Sequence, residues 1–312
     1  MRPVERQTRA VLMDLFQHNG LHPRSDLGQN FLIDLNLIEY IRDRAALGPR
    51  DVVLEIGTGT GGLTTYLAES AAAVVSIEVD HRVYALARQV VAHLPNVTLL
   101  NCDALQNKNH FSPTVLEAVA THLAVDPHRR VKLVANLPYC IATPVISNLV
   151  ASPLAWEAMI VTIQWELAER IRAKPGTEHY GALSVWLQSQ CQVEILKKLG
   201  PMVFWPRPQV DSAIVQLLPD PERRDQIDDR SFFHDFVRRL FQQRRKFLRS
   251  VLVAMYRQEL SKEEIDRRLE PFHFKEGIRA DRLDVETLVN LGRTMRETLH
   301  DHSKSPPDDF KE

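Results

Sequence analysis

Val52 to Ile56 is a short, β-branched apolar run that breaks into Gly57-Thr-Gly59-Thr-Gly61-Gly62, and Leu63 to Glu69 then takes helical apolar spacing. A strand, a glycine-rich turn and a helix in that order leave few folds open. Glycines let the backbone approach a ligand closely, and the helix start offers unpaired N–H groups. Gly57-x-Gly59-x-x-Gly62 satisfies the dinucleotide fingerprint, and Glu78 lies 21 residues after Gly57 at the tip of the next apolar run. A carboxylate there can hold both hydroxyls of a ribose. Turn and carboxylate together predict a nucleoside site. They do not separate NAD from S-adenosylmethionine.

The elements around this turn alternate. Asp34 to Ala46 reads as a helix, Val74 to Glu78 as a strand, Arg82 to Leu94 as a helix and Val97 to Leu100 as a strand. A helix follows within Thr114 to Leu123, then a strand at Val131 to Ala135, a helix at Pro144 to Val150 and a strand at Ala158 to Ile163. Such alternation predicts βαβ units: a doubly wound, Rossmann-like α/β fold with a parallel sheet and helices on both faces. Pro201, Pro206 and Pro208 interrupt the pattern, and Ala213 to Leu218 is one more strand. Beyond Asp220-Pro221 the spacing is helical only, at 232–241, 246–256, 262–269 and 285–298. The expected organisation is an N-terminal helical extension over 1–23, the sheet domain over 24–218, a smaller all-helical domain over 219–299 and a disordered tail over 300–312.

Composition excludes several classes. With 312 residues, 44% hydrophobic and 25% charged, the chain is neither disordered nor a disulfide scaffold. Cys102, Cys140 and Cys191 are scattered and form no C-x-x-C pair, so no structural metal is expected. No apolar run approaches the length of a membrane span, and Glu5 and Asp14 argue against a transit peptide despite Arg2, Arg6 and Arg9. A cytoplasmic protein is expected. Net charge is -1, yet Arg238 to Arg257 holds seven basic side chains and no acidic one. The run is either a solvated helix face or a match for a phosphate backbone.

The strand at 131–135 leads into Asn136-Leu137-Pro138-Tyr139. The exocyclic amine of adenine is a poor nucleophile because its lone pair is drained into the ring. A side-chain amide oxygen and a backbone carbonyl can accept its two N–H bonds and aim that lone pair at a methyl sulfonium. Proline fixes the carbonyl geometry and brings no donor of its own. Tyr139 offers a ring for stacking an extruded base. Stacking needs only the ring, so Tyr139→Phe is expected to be nearly silent. Asp103 follows the strand at 97–100 and can accept the exocyclic amine of a cofactor's adenine or cap a local turn. Cys140 stands one residue too late for a cytosine-5 methyltransferase nucleophile and is expected to pack.

At this point the chain resembles the small-subunit type of ribosomal RNA adenine dimethyltransferase. The resemblance spans most of 24–260. It rests on Leu27-Gly-Gln-Asn30-Phe31-Leu32-Ile-Asp34, Glu55-Ile-Gly57-x-Gly59, Glu78-Val-Asp80, Asp103-Ala-Leu and Asn136-Leu-Pro-Tyr139. It continues through Gln164-x-Glu166-x-Ala-x-Arg170, Pro175-Gly-x-x-x-Tyr180-Gly181, Phe204-x-Pro206-x-Pro208-x-Val-Asp211-Ser212 and Phe241-x-x-Arg244-Arg245-Lys246. The resemblance implies S-adenosylmethionine as cofactor, held by Asn30, Leu32, Gly57, Glu78, Asp103 and Asn136. It implies Asn136, Leu137, Pro138, Tyr139 and Phe204 around the target base. Arg244, Arg245, Lys246 and Arg249 would meet RNA phosphates. The implied substrate is a pair of adjacent adenines in the 3′-terminal hairpin of small-subunit rRNA, methylated on an immature subunit by a monomer.

Thr58 stands where the family more usually has proline, Trp165 where a small basic residue is common, and 106–130 reads as a local insertion. Among alternatives, the closest is the antibiotic-resistance methyltransferase of large-subunit rRNA, over which the Pro175 to Val185 stretch favours the small-subunit type. A DNA adenine methyltransferase would more often carry Asn/Asp-Pro-Pro-Tyr. A non-catalytic RNA-binding assembly factor would not need Glu78, Asp103 and Asn136 intact. An NAD oxidoreductase would need a proton relay that is not evident.

Overall fold

The computed structural model describes residues 8–304. Among them no helix is long and apolar enough to cross a membrane. The chain divides into two compact units, one of 1–168 with 192–219 and one of 169–191 with 220–312.

The first unit is built on a seven-stranded sheet. Its strands are β1 (Asp51–Ile56), β2 (Ala73–Ile77), β3 (Val97–Leu100), β4 (Arg130–Asn136), β5 (Trp156–Gln164), β6 (Cys191–Leu199) and β7 (Ser212–Pro219). Their spatial order is β3-β2-β1-β4-β5-β7-β6. From β3 to β5 the pairing is parallel, with Ile56 opposite Ile77 and Leu54 opposite Leu133. Crossovers run through helices α3 (Gly62–Ala68), α4 (His81–Val91), α5 (Pro113–Leu123) and α6 (Ala142–Ala151). Strands covered on both faces are mostly apolar, and every residue of β1 is buried, including Asp51 and Glu55.

The sheet is mixed rather than wholly parallel. β7 runs antiparallel to β5, with Ser212 opposite Gln164 and Ile214 opposite Thr162. β6, at the sheet edge, was not expected from sequence because Glu194, Lys197 and Lys198 break its apolar pattern. The stretch 106–130 contains the helix expected within Thr114 to Leu123. It begins in a small antiparallel hairpin, Leu105–Asn107 with His110–Phe111, and then forms α5, which packs on β1, β2 and β4.

Two further elements brace this unit. The helix Arg9–His18 is integrated rather than appended: Leu12 and Phe16 are buried against Phe31, Val83 and Leu86. The short strand Phe31–Leu32 pairs antiparallel with Phe204–Trp205. Asp34 caps the following helix, Leu35–Ala45, by accepting from Asn36 N and Leu37 N at 3.0 and 3.3 Å.

The second unit is helical, with helices at Ala182–Gln188, Arg230–Gln242, Leu248–Met255, Lys262–Leu269 and Val285–Lys304. Residues 169–191, which the sequence pattern assigns to the sheet domain, pack here instead. The buried Tyr180 hydroxyl donates to Leu283 O at 2.9 Å, and Gln188 Nε2 donates to the Ile171 and Ala173 carbonyls. The last helix runs to Lys304, so the expected tail begins later than residue 300; residues 305–312 and 1–7 lie outside the described residues.

Candidate active site

The turn after β1 needs its glycines. Gly57 and Gly59 have φ of +87° and +57°, where a side chain is strained. A Cβ on Gly57 would come within 3.0 Å of Pro138 Cδ, and one on Gly59 within 3.0 Å of the Phe31 ring. The turn is pinned by Gly57 N and Thr58 N, both donating to Ile77 O at 2.9 and 3.1 Å.

Beneath it lies a buried polar network. Glu55 Oε2 accepts from Thr64 Oγ1 and Ser76 Oγ, each at 2.6 Å. Thr58 Oγ1 is 2.6 Å from Ser76 Oγ, and since the Ser76 proton goes to Glu55, Thr58 is the donor to Ser76. Thr58 therefore contributes a hydroxyl that proline, usual in the family at this position, would not. Burial, helped by the charge of Glu78 and opposed by the two hydroxyl donors, pushes the Glu55 carboxyl up to about 7.

Glu78 continues from β2, its N–H donating to Leu100 O at 3.0 Å. Its Oε2 accepts from Gly59 N at 2.9 Å and its Oε1 from Asp80 N at 3.0 Å. Burial raises its pKa against these two donors. Asn101 Nδ2 donates to the Glu78 carbonyl at 2.7 Å and holds the strand tip. Asp80 caps α4 through Arg82 N and accepts from Gln29 Nε2 at 3.2 Å.

β4 ends in Asn136, whose Nδ2 donates to the Asn30 carbonyl at 2.8 Å. Leu137 N donates to Thr162 O and Ile141 N to Pro138 O, each at 3.1 Å, which sets the backbone of the turn. The Tyr139 hydroxyl lies 2.6 Å from Ser212 Oγ, and burial raises its pKa against that bond.

These pieces line one cavity of about 220 Å³. Asn30, Gly57, Glu78, Asp103, Asn136, Leu137, Pro138 and Tyr139 all face it, together with Phe31 and Val79. Asp103 lines the cavity, and its Oδ1 accepts from Leu105 N at 2.8 Å as the cap of a local turn. Two expected residues are not in the lining. Phe204 is 1% exposed and packs in the core with Leu37, Ile38 and Ile214, while Leu32, its partner in the two-residue pairing, packs against the same core. Antiparallel pairing puts both side chains on the apolar side of that ribbon, so Phe204 is a core residue here rather than a base-stacking one. Cys140, expected to pack, is instead exposed and lines the cavity. Gln29, Asn101 and Ser212 had no role in the sequence reading; the motifs contain or neighbour them, but only the fold shows what they hold.

A model of the ribosomal RNA adenine dimethylase family matches residues 20–271. The chain belongs to that family. It is 37% identical over 286 residues to the ribosomal RNA small subunit methyltransferase A of Lactiplantibacillus plantarum, covering 91% of this chain and 93% of the relative. The protein of the same name from Alkaliphilus metalliredigens is 37% identical over 265 residues, 85% of this chain and 89% of the relative. In fold the chain is similar to a dimethyladenosine transferase from Plasmodium falciparum, with a TM-score of 0.69, 23% identity and coverage of 85% and 97%. It is similar too to the 23S rRNA methyltransferase ErmE, with a TM-score of 0.58, 23% identity and coverage of 85% and 99%.

This adenine dimethylase is an S-adenosylmethionine-dependent methyltransferase, and the cavity fits that cofactor. Each Glu78 oxygen accepts one backbone N–H and keeps a lone pair, which suits the two hydroxyl donors of a ribose. The absence of side chains at 57 and 59 lets the turn pack directly against Pro138 and Phe31, which line the same cavity.

In the second unit, two of the four expected phosphate contacts are already engaged. Arg244 donates to the Glu178 and Thr177 carbonyls at 2.6 and 2.9 Å, and Arg249 makes a two-pronged pair with Asp266 at 2.5 and 2.7 Å. The Arg245 and Lys246 side chains are exposed and make no hydrogen bond or ion pair with described residues. The basic run thus separates into brace and free cations.

Proposed function

We propose that this chain transfers methyl groups to the exocyclic amines of two adjacent adenines in the 3′-terminal hairpin of small-subunit rRNA, acting as a cytoplasmic monomer on an immature subunit. The observation that carries it is the Asn136 amide, tied by its nitrogen to Asn30 O in the same cavity as Glu78 and the glycine turn. The names of the relatives, at 37% identity over most of both chains, favour the small subunit over the large.

Bound S-adenosylmethionine supplies an electrophilic methyl group. Glu78 holds the ribose hydroxyls, Asp103 accepts from the cofactor's adenine amine, and the turn at 57–59 lets the ligand lie against the backbone. With Nδ2 occupied, Asn136 Oδ1 accepts one N–H of the target amine. The Leu137 carbonyl, in the same turn, accepts the other. These two acceptors raise the lone-pair density of the amine nitrogen and orient it. The amine would attack while it still carries its protons, its nitrogen gaining the methyl group as the sulfonium loses it and becomes a neutral thioether, and the excess proton leaves afterwards to solvent. Tyr139 stacks on the extruded base.

The test is to incubate the protein with labelled S-adenosylmethionine and small subunits lacking the modification, then map the labelled bases. Label on two adjacent adenines near the 3′ end supports the reading. Label on large-subunit RNA, or none, overturns it.

A further inference from the structure

Tyr139 is anchored at both ends. Its backbone belongs to the turn set by Leu137 N on Thr162 O and Ile141 N on Pro138 O. Its hydroxyl meets Ser212 Oγ at 2.6 Å. Ser212 is wholly buried, faces neither solvent nor the cavity lining, and opens β7 opposite Gln164. The residue before it is fastened as well: Asp211 O accepts from Trp165 N at 2.9 Å, and the Asp211 carboxylate pairs with Lys198 Nζ at 2.9 Å. Ser212 therefore sits on a fixed piece of sheet, and its hydroxyl is a stationary point to which the half-buried ring is tied.

From this geometry we infer that Ser212 is a positioning residue for methyl transfer, holding the Tyr139 ring in the one orientation that receives an extruded adenine. The inference rests on the proposed function, in which Tyr139 stacks on the target base. A ring free to rotate about its side-chain bonds must be ordered when the base arrives, at a cost in affinity for the extruded state. A ring held by a strand hydroxyl has been ordered by folding. This also changes the expectation for Tyr139→Phe. Phenylalanine keeps the stacking face and loses the tether, and it leaves a buried serine hydroxyl without its partner.

The test compares wild type, Ser212→Ala, Tyr139→Phe and the double variant on small subunits lacking the modification. Each single change should lower kcat/KM for methyl transfer by roughly tenfold, the scale of one hydrogen bond. The Kd for S-adenosylmethionine should not change, and the double variant should be no worse than either single one, because both remove the same bond. A second readout needs no RNA. With labelled tyrosine, of which the chain has six, three-bond NMR couplings should show a single Cα–Cβ rotamer for Tyr139 in wild type and an average over rotamers in Ser212→Ala. If the ring loosens and kcat/KM stays at the wild-type value, or if the two changes add, Ser212 is only structural and the inference falls. If wild-type enzyme methylates no adenine at all, it is the proposed function that fails, and the rotamer result stands apart from it.

Discussion

The Asn136 side chain reaches across 106 residues of chain to donate to the Asn30 carbonyl at 2.8 Å. An amide has one donor end and one acceptor end, so this bond decides which end is left for the substrate. Asn30 is itself held by its own side chain, which donates to Gly28 O at 3.2 Å. The segment ahead of the sheet thus does more than line the cavity: its backbone orients the Asn136 amide, which in the proposed reaction accepts from the target amine.

Removing that acceptor should separate chemistry from binding. Asn136→Ala is expected to slow methyl transfer by roughly a hundredfold or more, the scale of removing one positioned polar group at a reacting centre. Asn136→Asp should do no better, since a carboxylate has no hydrogen to give the Asn30 carbonyl. RNA affinity should fall far less, because most of it comes from phosphate contacts. Single-turnover rates alongside RNA titrations measure both, and near-normal rates in either variant would remove Asn136 from the reacting centre.

The proposed function gives Glu78 the cofactor's ribose. Losing two charge-assisted hydrogen bonds to the ribose should cost Glu78→Ala at least ~1.5 kcal/mol of S-adenosylmethionine binding. The same change strips acceptors from Gly59 N and Asp80 N, so the glycine turn should loosen too. Calorimetric titration with S-adenosylmethionine and with NAD checks both the loss and the selectivity; tighter binding of NAD to wild type would contradict the assignment.

Stability should fall as pH rises through the range in which Glu55 ionises. Its carboxyl is held at about 7 in the folded chain, above the ordinary value of 4.5. Between those values the folded state binds a proton that the unfolded state has released. Stability then declines with rising pH, by on the order of 3 kcal/mol across the window from this group alone, and levels off above about 7. Glu78 is shifted upward by burial and acts in the same direction. Chemical denaturation at a series of pH values should show this slope in wild type, and Glu55→Gln should flatten it. An equal slope in both proteins would mean that the Thr64 and Ser76 hydroxyls keep Glu55 ionised.

Local chemistry was legible in the sequence wherever one short segment carries it. The glycine turn, the carboxylate at the tip of β2 and Asn136-Leu-Pro-Tyr139 each announce themselves, because strand-to-turn geometry is dictated within a few residues. Pairings between distant segments were not legible. Nothing in the spacing says that Tyr139 meets Ser212, 73 residues later, or that Asn136 donates to a backbone carbonyl. Phe204 misled for the same reason. A motif aromatic reads alike whether it faces a cavity or a core, and the pairing of 204–205 with 31–32 sends it inward. The edge strand β6 was missed because one face meets solvent, and charges there break the apolar run.

The basic run from 238 to 257 yields the last prediction, since its members cannot all do the same work. Arg244 commits its guanidinium to the Thr177 and Glu178 carbonyls and lies 3.7 Å from Asp281, so it braces the 169–191 segment within the helical unit. Arg244→Ala should lower stability by about 0.5–1.5 kcal/mol, the scale of net hydrogen bonds, since the Thr177 and Glu178 carbonyls lie at the surface. The Arg245 and Lys246 side chains have no such partners among the described residues. Replacing both by alanine should leave the melting temperature unchanged and weaken RNA binding. The slope of log affinity against log salt should drop by roughly 0.7 to 0.9 for each phosphate that is no longer neutralised. Affinity for S-adenosylmethionine should be unaffected, because the cavity lining contains none of these residues. Thermal melts and RNA titrations over a salt series separate the two roles. A double variant with the wild-type salt slope would make Arg245 and Lys246 an ordinary solvated face. A stable Arg244→Ala protein with weakened RNA affinity would show the brace to be a phosphate-binding group after all.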